Sequence, residues 1–216
     1  MMIFDIILQA VVILVSVFMF LWMQNIPQDL FQKFCERRAR SGIQAKRHFV
    51  LGAQLLDKAR SEKDSSSISS LANSAAEEAD KAIALDPRDA APHILKALAL
   101  DLQGFRSSAI DALDVALSSM TKKSLSTEER GDALLKRAEL RVGLSQASGG
   151  GGGNIDSAIS DLVESVKLNS KNAKAHLILG QCYEKKDLVD KARNAYEEAL
   201  RIDPRVKEAS ARLNSM

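Results

Sequence analysis

Small residues return on a fixed period along this chain. Ala109 follows Ala75 by 34 positions, and Ala192 follows Ala158 by 34. Within the period, Ala97, Ala109 and Ala116 stand 12 and 7 apart, as do Gly180, Ala192 and Ala199. Ala75, Ala82 and Pro87 are spaced 7 and 5 apart, as are Ala192, Ala199 and Pro204, and Ala158, Ser165 and Ser170 keep the same offsets. A recurrence of this length marks a repeated supersecondary unit, which cannot bury its apolar face alone and must stack on its copies. With 46% hydrophobic but only 5% aromatic residues, and plentiful Ala, Leu, Lys and Glu, the unit is helical rather than a sandwich or barrel. Two cysteines exclude a disulfide scaffold and a four-Cys metal site.

The last unit is the clearest. Residues 173–206 read AKAHLILGQCYEKKDLVDKARNAYEEALRIDPRV. Leu179-Gly180, then Tyr183, Ala192, Tyr196, Ala199 and Pro204 resemble a tetratricopeptide repeat, with His176 where that family usually has Trp. The small residues let two antiparallel helices approach closely, and Tyr183 and Tyr196 fill the space beside them. Asp187 is read as the cap of the second helix and Pro204 as its end. Continuing the register upstream gives four helix pairs, at about 45–89, 90–123, 131–172 and 173–206, then a closing helix at 207–216. The first carries an 11-residue polar insertion with Ser65, Ser66, Ser67, Ser69 and Ser70, read as a solvated loop open to phosphorylation. The third, with Ala138 in the glycine role, is lengthened by the glycines at 149–153. Between the second and third pairs, Ser126-Thr127-Glu128-Glu129 reads as a capping box. The expected fold is all-α: a tetratricopeptide-type solenoid of helix pairs preceded by one transmembrane helix.

That transmembrane helix is expected at residues 3–23, where only Asp5, Gln9 and Ser16 interrupt 18 apolar positions of 21. Such a helix is about 31 Å long, close to the ~30 Å hydrocarbon core, with Trp22 at the headgroup level. A cleaved signal peptide would need a basic start and small residues at a cleavage site, and neither is present. Residues 24–47 carry Lys33, Arg37, Arg38, Arg40, Lys46 and Arg47 against Asp29 and Glu36, a net of +4 within a whole-chain charge of +2. The basic juxtamembrane linker, 24–44, therefore places the C-terminal body in the cytosol and the N-terminus outside. It is also placed to touch lipid headgroups. Cys35 in the linker is read as a free thiol or an acylation site. Endoplasmic reticulum and organelle outer envelope both fit the anchor.

No cofactor, metal, nucleic acid or small-molecule substrate is expected, and no enzyme. The glycine run lacks the strand and the Gly-Lys-Ser/Thr ending of a phosphate loop, and reads as a tether. His48, His93 and His176 each fall four positions before Gly52, Ala97 and Gly180. They share one structural slot in separate repeats and do not converge. Cys182 reads as a buried small hydrophobe.

The resemblance implies a right-handed superhelix whose first helices line a concave, protein-binding groove. The expected groove residues are Phe49, Ala53, Ile94, Leu98, Leu135, Lys136, Lys174 and Leu177. The subgroup that clamps the C-terminal carboxylates of Hsp70 and Hsp90 needs Lys, Asn and Arg there. The matching positions hold Phe49, Ala53, Leu95, Asp132 and Lys136, or, shifted by one repeat, Ile94, Leu98, Lys136, Lys174 and Ile178; two basic residues survive but the Asn donors do not, which argues against such a clamp. Phe49, Ile94, Leu135 and Leu177 form instead an apolar stripe, either open to a partner or covered by the closing helix or the linker. The function expected is a membrane-anchored, cytosol-facing scaffold that binds a protein partner. A narrower alternative is a receptor or co-chaperone for precursor proteins at a plastid, mitochondrial or endoplasmic reticulum membrane.

Overall fold

The computed structural model describes residues 2–23, 26–147 and 152–216, with side chains at 4, 6, 7, 9–17, 19, 40–147 and 154–216. The chain divides into two units, 1–44 and 45–216.

In the first unit, helix α1 runs Met2–Met23, with Phe4, Ile6, Ile7, Leu14 and Met19 exposed. Among the described residues no helix is long and apolar enough to cross a membrane. The transmembrane span expected at 3–23 is therefore not established by the fold. The side chains of Trp22, Lys33, Cys35, Arg37 and Arg38 lie outside those described; Arg40 is exposed.

The second unit takes up the C-terminal part of α2 (Ile26–Ser61). It continues through α3 (Ser65–Leu85), α4 (Ala90–Leu102), α5 (Arg106–Ala116), a 3-10 turn at Lys122–Ser124, and α6 (Thr127–Ala147). The last four helices are α7 (Gly152–Leu168), α8 (Ala173–Glu184), α9 (Val189–Ile202) and α10 (Lys207–Ser215). From α3 onward each helix packs on the next in sequence. Along α6, the residues Gly131, Arg137 and Arg141 bond in turn to Ser165, Asp161 and Ser157 of α7, so the two run antiparallel. The glycine tether falls mostly outside the described residues, and α7 already begins at Gly152.

The periodic small residues are the contacts between helices. Ala75, Ala82, Ala97, Ala109, Ala116, Ala138, Ala158, Ala192 and Ala199 are all completely buried. At Gly180 an added Cβ would lie 2.5 Å from the ring of Tyr196, itself fully buried, with its hydroxyl donating to Glu184 at 2.8 Å. In the third pair Ser165 takes the alanine role. Its hydroxyl donates to the Gly131 carbonyl at 2.7 Å, which satisfies a polar group that is wholly buried.

The ends of the helices follow two recipes. The first helix of a pair is capped by a side chain: Asp89 accepts from the Ala91 amide and Asn172 from the Ala175 amide. Ser126 and Glu129 form a reciprocal capping box at the start of α6. The second helices α5 and α9 have no side-chain cap. They are entered through a tight turn in which Gly104 (φ 86°) and Asp187 (φ 57°) are left-handed. In both, the next amide, of Phe105 or Leu188, reaches the carbonyl five residues back, at Leu100 or Tyr183. Asp187 thus closes α8 and does not cap α9. The serine-rich insertion is likewise helix rather than loop. α2 extends to Ser61 and α3 starts at Ser65, with Asp64 as its cap, accepting from the Ser67 amide at 2.9 Å.

Candidate functional site: an apolar cavity on the inner helices

The first helices of the first three pairs enclose an open cavity of about 550 Å³, within the ~300–1,000 Å³ usual for ligand sites. α2 contributes Phe49, Ala53 and Leu56; α4 contributes Ala91, Ile94 and Leu98; α6 contributes Ala133 and Lys136. The expected residues Phe49, Ala53, Ile94, Leu98 and Lys136 are therefore brought together.

Lys174, Leu135 and Leu177 are not part of this cavity. Leu135 is only 7% exposed and packs with Val142 and Ile155 in the core of the third and fourth pairs. It is buried in that cluster and is not a groove-lining side chain. Leu177 packs against the cluster of Tyr196, Ala199 and Ala209, so α9 and the closing helix α10 take its apolar face. The apolar stripe thus lines an open cavity at Phe49 and Ile94, whereas Leu135 is buried and Leu177, half-buried, lies against α9 and α10 outside that cavity.

Charge replaces apolar surface there. Lys136 donates to Asp101 at 2.7 Å and lies 3.7 Å from Glu139. Glu139 in turn pairs with Lys174 at 2.6 Å. This ladder links α4, α6 and α8 and uses both basic groove residues internally. A carboxylate from a partner would have to displace Asp101 or Glu139. Beyond the ladder lies a polar recess lined by Gln181, Glu184, Glu208 and Arg212, whose side chains bond one another.

Two features of the cavity add to the expected groove residues. Leu125 lines it from the irregular segment between α5 and α6. That segment is pinned in place. The buried hydroxyl of Thr121 donates to the carbonyls of Val115 and Ala116, while Ser124 accepts from the Ala90 amide at 2.9 Å and donates to the Thr121 carbonyl. The capping-box signal beginning at Ser126 was the only hint of this lip. The second feature is a charged rim of Asp57, Arg60, Glu129 and Asp132. Hydrogen bonding from Ser126, chiefly its amide, holds the Glu129 carboxyl below the usual glutamate range.

The histidines occupy three separate environments. His48 Nδ1 meets Glu78 Oε2 at 2.6 Å, His93 is buried beside the Pro87 carbonyl, with its pKa lowered by burial, and His176 Nε2 is buried without a hydrogen-bond partner. Among the described residues no group of three His, Cys, Asp or Glu converges on a metal-sized site. Burial pushes the Cys182 thiol up to about 11, which leaves it unreactive.

The architecture defines an all-α solenoid of the tetratricopeptide type, a fold consistent with protein–protein interaction. Residues 150–206 match the tetratricopeptide repeat family. Among solved structures, the crystal structure of MamA is 22% identical and covers 71% of this chain and 78% of its own, at a TM-score of 0.53. MamA from Desulfovibrio magneticus RS-1 is 16% identical over 79% of this chain and 81% of its own, at 0.62. Pseudomonas aeruginosa pilF is 15% identical over 82% and 68%, at 0.59. At these identities the likeness speaks for the fold alone. No curated protein matches the sequence.

Proposed function

We propose that this chain is a non-catalytic adaptor that holds a protein partner in the cavity between α2, α4 and α6 and is tethered to a membrane by its N-terminal helix. The observation that carries the first part is the open cavity floored by the apolar, half-buried side chains of Phe49, Ile94 and Leu98. Apolar side chains left open beside a rigid wall favour a helix or extended segment that buries them. Support for the tether is the 22-residue helix α1 with its exposed apolar side chains and the +4 charge of residues 24–47, which by the positive-inside rule faces the body to the cytosol. Tethering would raise the partner's effective concentration at that surface.

Proximity labelling from the C-terminal body in intact cells tests the adaptor. A set of labelled proteins lost from Phe49→Glu, with helicity unchanged by circular dichroism, is expected; an unchanged set removes the cavity from the reading. Alkaline extraction of membranes tests the tether. The full chain should stay in the pellet, and a chain lacking residues 1–23 should not.

A further inference from the structure

The cavity's charge restricts what it can hold. Three carboxylates, Asp57, Glu129 and Asp132, stand on its rim, and none has an ion-pair partner among the described residues. Asp132 accepts only a neutral amide proton from Asn172 at 3.3 Å, and Glu129 only the bond from Ser126. Of the two cations on the cavity, Lys136 is consumed by Asp101 and Glu139. Arg60 alone is left to offset three acids. An acidic occupant would meet repulsion and find no unengaged lysine, whereas a basic one meets an unneutralised rim beside an apolar floor.

We infer that the partner segment is an apolar peptide carrying lysine or arginine, with its apolar side chains on Phe49, Ile94 and Leu98 and its cations against Asp57, Glu129 and Asp132. This rests on the cavity being the binding site. Charges of opposite sign at a rim steer encounter and reject the wrong partner more than they add affinity. Their contribution fades with salt because the rim is wet. The apolar floor supplies the salt-independent part.

The test is selection of random peptides displayed on phage against the full chain held in detergent. Enriched peptides should combine large apolar residues with Lys or Arg. A synthetic copy should weaken by about tenfold when its basic residues are replaced by Gln, and similarly against the Asp57→Asn, Asp132→Asn double variant. Both differences should shrink in high salt, and Phe49→Ala should weaken all the peptides alike. Enriched peptides that need Phe49 but are acidic or uncharged would overturn the charge inference and leave the cavity as the site. Peptides indifferent to Phe49→Ala, or no enrichment at all, would overturn both.

Discussion

The first and second halves of the solenoid share one skeleton and finish it differently. In both, buried alanines and a glycine set how closely the helices approach. In the first half the inner face then stops at Phe49, Ile94 and Leu98 and stays open. In the second, Leu135 enters the core and Leu177, half-buried like Phe49, packs against α9 and α10, while the Asp101–Lys136–Glu139–Lys174 ladder adds charge to the inner helices. The skeleton therefore fixes the fold, while the residues between the small ones decide whether a surface remains for a partner.

The sharpest way to break this contrast is to place the same charge in both halves. Leu135→Glu puts a carboxylate into the core and should cost about 4 kcal/mol or more. Phe49→Glu reaches solvent through the cavity and should cost about 1–2 kcal/mol. Equal losses in urea unfolding would mean that Leu135 is as open as Phe49.

A smaller effect separates the two glycines. At Gly180 a new methyl group meets the Tyr196 ring at 2.5 Å, and that ring is held by Glu184, so Gly180→Ala should cost about 2 kcal/mol. At Gly52 the new methyl group meets the end of the Leu95 side chain at 2.9 Å and the Ala75 carbonyl at 3.2 Å, looser than the ring at Gly180. The better helix propensity of alanine offsets part of that crowding, so Gly52→Ala should cost about 1 kcal/mol, less than Gly180→Ala.

The paired turns allow a change of sign. Asp187→Gly relieves a left-handed non-glycine residue and should gain about 0.5–1 kcal/mol. Its counterpart Gly104→Ala should lose about 1 kcal/mol. Thermal midpoints that move the same way for both would show that the two turns are not equivalent.

The smallest expected effect is at Asp64, whose carboxyl is held at about 2 by bonds from the Ser66 side chain and then the Ser67 amide. A depressed folded pKa means the cap's contribution is present above the unfolded value, near 4, and is lost as pH falls toward 2. Asp64→Asn should flatten that part of the acid titration of stability and leave neutral pH nearly unchanged. A wild-type curve with the same shape would mean that the cap is not formed.

Much of this was legible beforehand. The 34-residue recurrence named the small contacts Ala75, Ala109, Ala158 and Ala192, because a residue wedged between two helices must be small whatever surrounds it. Ser126 and Glu129 were readable because a capping box is local. The misreadings were cases in which a local rule met a non-local one. Asp187 has a capping residue's chemistry, but the turn needed a left-handed position. The serine run has a loop's composition, yet Asp64 ahead of it starts a helix.

The candidate site was half legible. Phe49, Ile94 and Leu98 followed from the register, while Leu125 came from a segment without register and Leu135 was expected on the wrong side of the surface. Sequence alone determined the repeat, its helical character and its close contacts, because spacing along a helix fixes which residues share a face. Only the tertiary structure decided which inner-face side chains stay open, because exposure depends on what distant elements place over them. Here Leu135 is buried in the cluster shared by α6 to α9, Leu177 lies half-buried against α9 and α10, and the cavity at Phe49 stays open among the described residues of the second unit.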